Sequence, residues 1–234
     1  MFEKKYTVRY SEVSQNGEVS LSSLVSYFQD TTMFHSDSVG QGINILIDKN
    51  LAWLLESWHI KINEYPKYAQ TVRARTWATD FSGLYGYRDF EIVDKDDNVL
   101  AVASSAWFLY DGINQKIQRI TPDISAVYSP EPRFVFGSAT NARLRAPKQY
   151  DDICRYTVER RDLDTNNHVN NVHYIDYVTN TLPKDYKINE LRVSYKKAAV
   201  EGDIICVGLC REDDADTYVL HDENGSIYAI LEIK

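Results

Sequence analysis

The feature that most constrains the fold of this chain is an internal repeat with a spacing of 150 residues. The segment YTVRYSEVSQNGEVSLSSLVSYF, from Tyr6, lies over YTVERRDLDTNNHVNNVHYIDYV, from Tyr156. The identical pairs are Tyr6/Tyr156, Thr7/Thr157, Val8/Val158, Asn16/Asn166, Val19/Val169 and Tyr27/Tyr177. Further on, HIKINEYPKYAQTV can be laid over LRVSYKKAAVEGDII, and FEIVDKDDNVLAVAS parallels YVLHDENGSIYAILE. The repeat predicts two halves, each a strand, a polar loop and a helix followed by antiparallel strands.

Apolar periodicity predicts the elements within each half. In the first half it predicts a helix from Leu21 to about Asp37, capped by Ser20. The expected strands are 6–10, 52–63, 71–78, 85–93 and 99–110, with a short helix at 43–51. In the second half a helix begins near Val172, is capped by Asn170 or Asn171 and is ended by Pro183. Both helices are too apolar to lie exposed, so we expect an α+β fold in which each antiparallel sheet wraps around its own central helix.

Proline content marks the connection between the halves. Four of the six prolines, Pro122, Pro130, Pro132 and Pro147, fall between 111 and 149. We therefore expect a first domain at 1–115, a linker at 116–149 with little regular structure wrapped over it, and a second domain at 150–234.

Composition narrows the class of protein. Of 234 residues, 44% are hydrophobic and 26% charged, which is typical of globular domains. The formal net charge, 26 − 34 = −8, argues against nucleic-acid binding. No apolar run approaches the ~20 residues of a membrane helix, and the N-terminus lacks the apolar core of a signal peptide. We expect a cytoplasmic protein without a membrane partner, whose three cysteines, Cys154, Cys206 and Cys210, are buried thiols.

A polar cluster before the second helix suggests chemistry. Asp164, Asn166 and His168 bring a carboxylate, a carboxamide and an imidazole to the N-terminus of a helix, where free backbone N–H groups are available. A general base beside such donors suits acyl hydrolysis. At the positions of Asp164 and His168 the first half has Ser14 and Glu18. If the acid and the base served only the fold of the loop, both copies should carry them.

Simpler interpretations remain open for individual residues. Asn166 has a twin in Asn16 and could be a loop residue in the left-handed conformation, and Asp162 is best interpreted as a turn or surface acid. Among the histidines, His35 and His59 are expected in the core or a pocket wall, His173 in a structural role and His221 at the surface. We find no nucleotide-binding glycine pattern and no metal-ligand spacing, so we expect no cofactor and no metal.

Three segments resemble the acyl-ACP thioesterase family. They are DLDTNNHVNNVHYIDYV around Asp164, WLLESWHIKINEYPKYAQTVRARTW at 53–77 and GYRDFEIVDKDDNVLAVASSAWFLYD at 86–111. The resemblance spans about residues 6–205, in order and with the linker in place. It implies a tandem double hotdog fold, hydrolysis of fatty acyl-ACP, and a catalytic set of Asp164, Asn166 and His168.

The resemblance also gives the parts a role. His168 would be the base, Asp164 would orient the imidazole or the water, and Asn166 would hold water or the carbonyl. Backbone N–H groups from about Val169 to Val172 could form the oxyanion hole. The first half would house the acyl chain, with Phe28, Met33, Phe34, Trp53 and Leu55 as candidate lining.

The implied partner is acyl carrier protein bearing a phosphopantetheine-linked acyl chain, and a homodimer is left open. Because both proteins are acidic, docking needs a local basic patch. Candidates are Arg160 with Arg161, Lys196 with Lys197, and the group Arg143, Arg145 and Lys148.

One departure from the family pattern is prominent. The family carries a glutamate in a stretch resembling Tyr-Arg/Lys-Arg/Lys-Glu-Cys, and here that stretch is Tyr195-Lys196-Lys197-Ala198-Ala199. Ala198 therefore keeps a non-catalytic acyl-binding module open as an alternative. A hotdog acyl-CoA thioesterase is a second alternative. A hotdog hydratase is less favoured, because its motif resembles Asp-x-Asn-x-x-His, one residue longer than the spacing here.

Overall fold

A computed structural model describes residues 1–138, 143–184, 186–212 and 214–234. The chain divides into two compact units, Met1–Asn141 and Ala142–Lys234, hereafter unit 1 and unit 2. The boundary lies inside the segment 116–149 that the sequence predicts as a linker. No helix in the described ranges is both long enough and apolar enough to cross a membrane.

Unit 1 contains an antiparallel sheet and one long helix. Its strands are β1 (Phe2–Thr7), β2 (Leu51–Ile62), β3 (Thr71–Ser82), β4 (Tyr85–Val93), β5 (Val99–Asp111) and β6 (Lys116–Gln118). They follow the order β1-β3-β4-β5-β2, and β6 pairs with β5. The helices are α1 (Leu21–Ser38), α2 (Ile43–Asp48) and α3 (Pro122–Ala126).

Helix α1 forms where the sequence predicts it. The Ser20 hydroxyl accepts a hydrogen bond from the Ser23 N–H at 3.2 Å and caps the helix. Its apolar stripe is buried, and Phe28 meets Trp58 and Phe90 at ring-centroid distances of 6.1 and 5.3 Å. The first turns of α1 therefore pack on an apolar core.

Unit 2 repeats this plan in a shorter form. Its elements are β7 (Asp151–Thr157), α4 (Asn171–Thr179), β8 (Glu190–Tyr195), β9 (Ile204–Arg211), β10 (Asp216–His221) and β11 (Ile227–Ile233). The antiparallel strand order is β8-β11-β10-β9-β7. The Asn170 side chain caps α4 by accepting the Val172 N–H at 3.2 Å, as predicted.

Several expectations need correction. The first strand is Phe2–Thr7 rather than 6–10, because Tyr10–Glu12 forms a turn of 3₁₀ helix. The predicted linker contains β6 and α3. Tyr128 and Val135 of this segment bond to the rest of unit 1. The Tyr128 hydroxyl donates to Ser36 at 3.2 Å, and the Val135 N–H donates to Asp89 at 2.8 Å. Residues 139–142 of that segment lie outside the described residues.

Two predictions about burial are wrong. His221, expected at the surface, is 8% exposed, with Nε2 2.9 Å from Asp152 Oδ1 and Nδ1 2.8 Å from the Asp222 carbonyl oxygen. Among the three cysteines only Cys206 is buried, while Cys154 and Cys210 are half-buried. Both errors concern contacts between β7, β9 and β10 that no local pattern reveals.

Candidate active site

The predicted polar cluster is a tightly closed loop between a 3₁₀ turn, Arg160–Asp162, and α4. Leu163 and Val169 pair as an antiparallel bridge. Within it the Asp164 N–H donates to the His168 carbonyl at 2.7 Å, and the Asn167 N–H donates to the Asp164 carbonyl at 3.1 Å. Asn167 has a φ of 58°, a conformation that asparagine tolerates better than most residues. The left-handed residue is thus Asn167 rather than Asn166.

The Asp164 carboxylate organises this loop. Its Oδ1 accepts the backbone N–H groups of Asn166 at 2.8 Å and His168 at 3.2 Å. Its Oδ2 lies 3.4 Å from Asn166 Nδ2. Asp164 is half-buried, whereas the side chains of Asn166 and His168 are exposed. Within the described residues the His168 imidazole has no hydrogen-bond partner, so it is available to a water molecule or a substrate.

The counterpart loop in unit 1 has the same backbone. The Ser14 N–H donates to the Glu18 carbonyl at 2.8 Å, and the Gly17 N–H donates to the Ser14 carbonyl at 2.9 Å. Gly17, with a φ of 77°, replaces the left-handed Asn167. Here Asn16 Oδ1, rather than the residue at 14, accepts the Glu18 N–H at 3.0 Å. Asp164 therefore also serves the fold of its loop, because its carboxylate accepts two loop amides that Ser14 does not hold in unit 1.

Asp162 belongs to the framework of the loop. Its Oδ2 accepts the Glu159 N–H and the Tyr177 hydroxyl, both at 2.9 Å, and the Tyr177 ring stacks on Tyr156. In unit 1 the Glu12 carboxylate accepts the Arg9 N–H and the Tyr27 hydroxyl at 2.7 Å, and Tyr27 stacks on Tyr6. Burial, and then the bond to Asp162, raise the pKa of Tyr177. The interpretation of Asp162 as a turn acid is therefore confirmed.

The backbone amides expected to form an oxyanion hole are mostly engaged. Val169 donates to the Ala199 carbonyl at 2.9 Å, Asn170 to the Asp162 carbonyl at 2.8 Å, and Val172 to the Asn170 side chain at 3.2 Å. The prediction is wrong for these three donors. Of the four predicted amides, only that of Asn171 lacks a partner within the described ranges.

The repeat also locates the position of the missing glutamate. Val169 bonds to the Ala199 carbonyl, and its twin Val19 bonds to the Pro66 carbonyl at 2.8 Å, so Tyr65 is the counterpart of Ala198. Burial raises the pKa of Tyr65, and the nearby charge of Glu18 raises it further. Because Val169, which follows His168, bonds to Ala199, which follows Ala198, we infer that positions 168 and 198 are neighbours in unit 2. Ala198 itself supplies no carboxylate to His168.

Unit 1 carries a buried polar cluster that the sequence did not reveal. Arg88 Nη1 lies 2.7 Å from His35 Nδ1 and 3.2 Å from Thr76 Oγ1, and the guanidinium lies 5.5 Å from the centre of the Tyr128 ring. Burial, and then the Arg88 charge, lower the pKa of His35 to about 3, so the ring is neutral and its Nδ1 accepts from Arg88. Burial lowers the pKa of Arg88 to about 10. Spacing gives no signal for such a cluster, because its members come from separate elements.

The candidate acyl-chain lining is only partly internal. Phe28 and Leu55 are buried, and Met33 and Trp53 are half-buried. Phe34 is 40% exposed, with the Lys4 ammonium 4.1 Å from its ring centre, so its assignment to an interior slot is wrong. No group of three or more His, Cys, Asp or Glu side chains in the described ranges could hold a metal ion.

Comparison with known proteins places this geometry in a family. Residues 1–128 match the acyl-ACP thioesterase N-terminal domain, and residues 145–230 match the acyl-ACP thioesterase C-terminal domain. The chain belongs to the acyl-ACP thioesterase family. The resemblance inferred from the three segments is thereby confirmed.

Individual relatives are distant in sequence. The chain is 25% identical to oleoyl-acyl carrier protein thioesterase 2, chloroplastic, of Arabidopsis thaliana, over 87% of this chain and 61% of the relative. It is 26% identical to the corresponding Coriandrum sativum protein, over 93% of this chain and 64% of the relative. The chain thus spans less than two thirds of the length of these plant relatives.

Solved structures share the fold. An acyl-ACP thioesterase from Bacteroides thetaiotaomicron matches with a TM-score of 0.83 and 18% identity, over 99% of this chain and 96% of the other. The 12:0-ACP thioesterase from Umbellularia californica matches with a TM-score of 0.83 and 21% identity, over 100% of this chain and 96% of the other. The expected α+β hotdog architecture is confirmed.

Proposed function

We propose that this protein hydrolyses the thioester of a fatty acyl chain carried by acyl carrier protein, releasing free fatty acid and the carrier thiol. Membership of the acyl-ACP thioesterase family supports the reaction class. The observation that carries the site assignment is the loop 164–168, where an exposed imidazole without a partner in the described chain follows a carboxylate that orders the loop. The proposed catalytic residues are Asp164, Asn166 and His168.

The chemistry follows from these groups. His168 takes a proton from water as the water oxygen attacks the thioester carbonyl, which gives a tetrahedral oxyanion. The Asn166 amide and the Asn171 N–H are the donors best placed in sequence to stabilise that oxyanion. The intermediate collapses by breaking the C–S bond, and the imidazolium returns its proton to the leaving thiolate. Asp164 stabilises the charged imidazole through its proximity in the loop.

Surface charge supports an acidic carrier as the partner. Arg160, Arg161, Lys196 and Lys197 are exposed around the ends of the loop and the following strand. Their counterparts in unit 1 are Tyr10, Ser11, Asn63 and Glu64. The four cations therefore belong only to the unit that carries His168, in a protein whose formal charge is −8. Arg161 pairs with Glu159 at 3.0 Å and Lys197 with Asp222 at 3.5 Å, and the cations at these positions would steer an acidic partner towards unit 2.

Three free cysteines support the proposed cytoplasmic location, because a reducing compartment keeps thiols free.

We further propose that unit 1 houses the acyl chain, as the apolar cluster around Phe28 supports. The names of relatives include oleoyl, palmitoyl and dodecanoyl groups on acyl carrier protein. The preferred acyl length of this protein is therefore to be measured with a panel of chain lengths. A homodimer stays a prediction.

The test compares turnover of acyl-ACPs of varied chain length with that of the matching acyl-CoAs. We expect a clear preference for acyl-ACP. His168→Ala should lower kcat by about 10²- to 10⁴-fold, the usual contribution of a general base. Glu18→Ala, at the twin position, is the matched control and should stay within about twofold, since the unit 1 loop supplies no base in this proposal.

Two outcomes would replace the proposal. A preference for acyl-CoA would favour a hotdog acyl-CoA thioesterase. Tight acyl-ACP binding with no turnover would favour a non-catalytic binding module, the alternative that Ala198 keeps open.

A further inference from the structure

A hydrogen bond links α4 to Ala199, in the connection between β8 and β9. The Tyr174 hydroxyl oxygen accepts the Ala199 N–H at 2.9 Å, and both residues are buried, at 2% and 0% exposure. The carbonyl of the same Ala199 accepts the Val169 N–H at 2.9 Å. Ala199 is therefore held from both sides, by the helix through Tyr174 and by the end of the loop through Val169, the residue after His168.

Unit 1 lacks the first of these bonds. The counterpart of Ala199 is Pro66, which has no N–H to satisfy, and the counterpart of Tyr174 is Leu24, which has no hydroxyl. The second bond is kept, since the Pro66 carbonyl accepts the Val19 N–H at 2.8 Å. The loop fold alone therefore does not need a tyrosine at this position.

A second hydroxyl follows the same pattern. The Tyr195 hydroxyl donates to the Asn171 carbonyl at 2.9 Å, and the Tyr195 ring lies 5.7 Å from the Tyr174 ring. By the register of the repeat its counterpart in unit 1 is Ile62. Tyrosine stands at these two positions in unit 2 and not in unit 1. The Tyr195 hydroxyl holds the N-terminus of α4, and the Tyr174 hydroxyl holds residues 198–199.

We propose that Tyr174 is a positioning residue for the hydrolysis, acting through Ala199 to hold residues 198–199 and the end of the loop that places the His168 imidazole. This inference rests on the proposed function of the loop. Burial raises the pKa of Tyr174 to about 12, so the hydroxyl is neutral. Since its oxygen accepts from the amide, its own proton is still available to a donor role.

The expected effect is on the rate rather than on binding. Tyr174→Phe keeps the ring but leaves a buried N–H unsatisfied, so residues 198–199 should shift relative to the loop. A small displacement of a catalytic group lowers the rate steeply. We therefore expect kcat to fall roughly 10-fold with KM within about twofold, at a temperature where the variant is fully folded.

The test uses the full chain with acyl-ACP as substrate, together with NMR of the histidine side chains. Tyr218→Phe is the matched control, because it also removes a buried hydroxyl from unit 2, one bonded to Thr181. Tyr218→Phe should leave kcat and the His168 side-chain signals unchanged, whereas Tyr174→Phe should lower kcat and shift those signals. Wild-type kcat in folded Tyr174→Phe would overturn the proposal.

A paired variant covers the case in which Tyr174→Phe does not fold. Tyr174→Leu with Ala199→Pro copies the pairing of unit 1, leaves no unsatisfied amide and should keep the fold. Reduced kcat with unchanged KM supports the positioning role, and wild-type kcat overturns it. If the wild type itself fails to hydrolyse acyl-ACP, the proposed function fails instead. In that case the NMR signals of the His168 side chain still test the positioning role of Tyr174. A shift of these signals between wild type and the double variant supports the role, and identical signals overturn it.

Discussion

The loops 14–18 and 164–168 share one backbone and differ in what they present to solvent. Both close with the same two main-chain hydrogen bonds and a left-handed residue, Gly17 or Asn167. In unit 1 the Glu18 carboxylate is taken up by Asn16 Nδ2 at 2.9 Å, whereas in unit 2 the imidazole at the same position is free of partners among the described residues. The two loops therefore share a duplicated scaffold, and a few side chains distinguish the copy that we propose to be catalytic.

The interiors of the two units differ in their content of buried polar side chains, which is higher in unit 1. Helix α1 has 18 residues and α4 has 9. The additional turns of α1 bring Thr31, Thr32, His35 and Ser36 into the interior of unit 1, where Arg88 is also buried. In the described part of unit 2 the buried polar side chains other than tyrosine are those of Ser194 and His221. Unit 1 thus has the more polar interior, whereas unit 2 has the loop with the exposed imidazole.

The largest effect that sharpens the comparison is expected for Asp164→Asn. The amide oxygen can still accept the N–H groups of Asn166 and His168, so the free energy of unfolding should change by less than about 1 kcal/mol. Hydrolysis should fall roughly 10- to 100-fold, because a neutral side chain cannot stabilise the charged imidazole. Urea unfolding and kcat on acyl-ACP measure the two effects. A variant with wild-type kcat would reduce Asp164 to a folding role.

A smaller gain is expected from Ala198→Glu. If positions 168 and 198 are neighbours, the new carboxylate supplies the group that the family pattern has and this chain lacks, and kcat should rise by about 3- to 10-fold. Ala198→Gln is the control, since it adds similar bulk without charge. Equal kcat for both variants and the wild type would show that position 198 does not act on His168.

The smallest effect concerns stability and pH in unit 1. The folded pKa of His35, about 3, lies below the ordinary value of ~6.5, so the unfolded chain binds more protons between these values. The contribution of His35 to the free energy of unfolding is therefore complete above pH ~6.5 and is lost as the pH falls towards 3. His35→Gln should flatten this loss, by at most about 1.4 kcal/mol per pH unit.

The difference between wild type and His35→Gln, together with one control variant, isolates the pH dependence of stability that is due to His35. Burial raises the pKa of Asp89 to about 6, which opposes the His35 effect below that pH, so only the difference between wild type and variant is informative. In unit 2 the bond to Asp176 raises the pKa of His173, so its contribution is present at low pH and is lost as the pH rises. His173→Gln should change the slope in the opposite direction. A wild-type acid slope in His35→Gln would contradict a neutral buried His35.

Local patterns predicted much of the fold. Strand β4 at Tyr85–Val93 and helix α1 from Leu21 agree with the sequence because periodicity and capping are properties of neighbouring residues. The Asp164 bonds to loop amides were also within reach, since aspartate often bonds the backbone two residues on. The Arg88–His35 and His221–Asp152 contacts were not, because each joins elements more than 50 residues apart. The sequence proposed Asp164, Asn166 and His168 as candidate site residues, but it did not predict that Asn166 and His168 are exposed.

Exchanging the side chains of the two loops shows whether Asp164 and His168 carry the hydrolysis. Asp164→Ser with His168→Glu gives unit 2 the residues of unit 1, and Ser14→Asp with Glu18→His does the reverse. Because Asn16 holds the unit 1 loop without an aspartate, Asn166 should hold the altered unit 2 loop. We predict that the first double variant unfolds like wild type but loses acyl-ACP hydrolysis, while the second keeps wild-type kcat. Near-wild-type hydrolysis in the first variant would contradict the account.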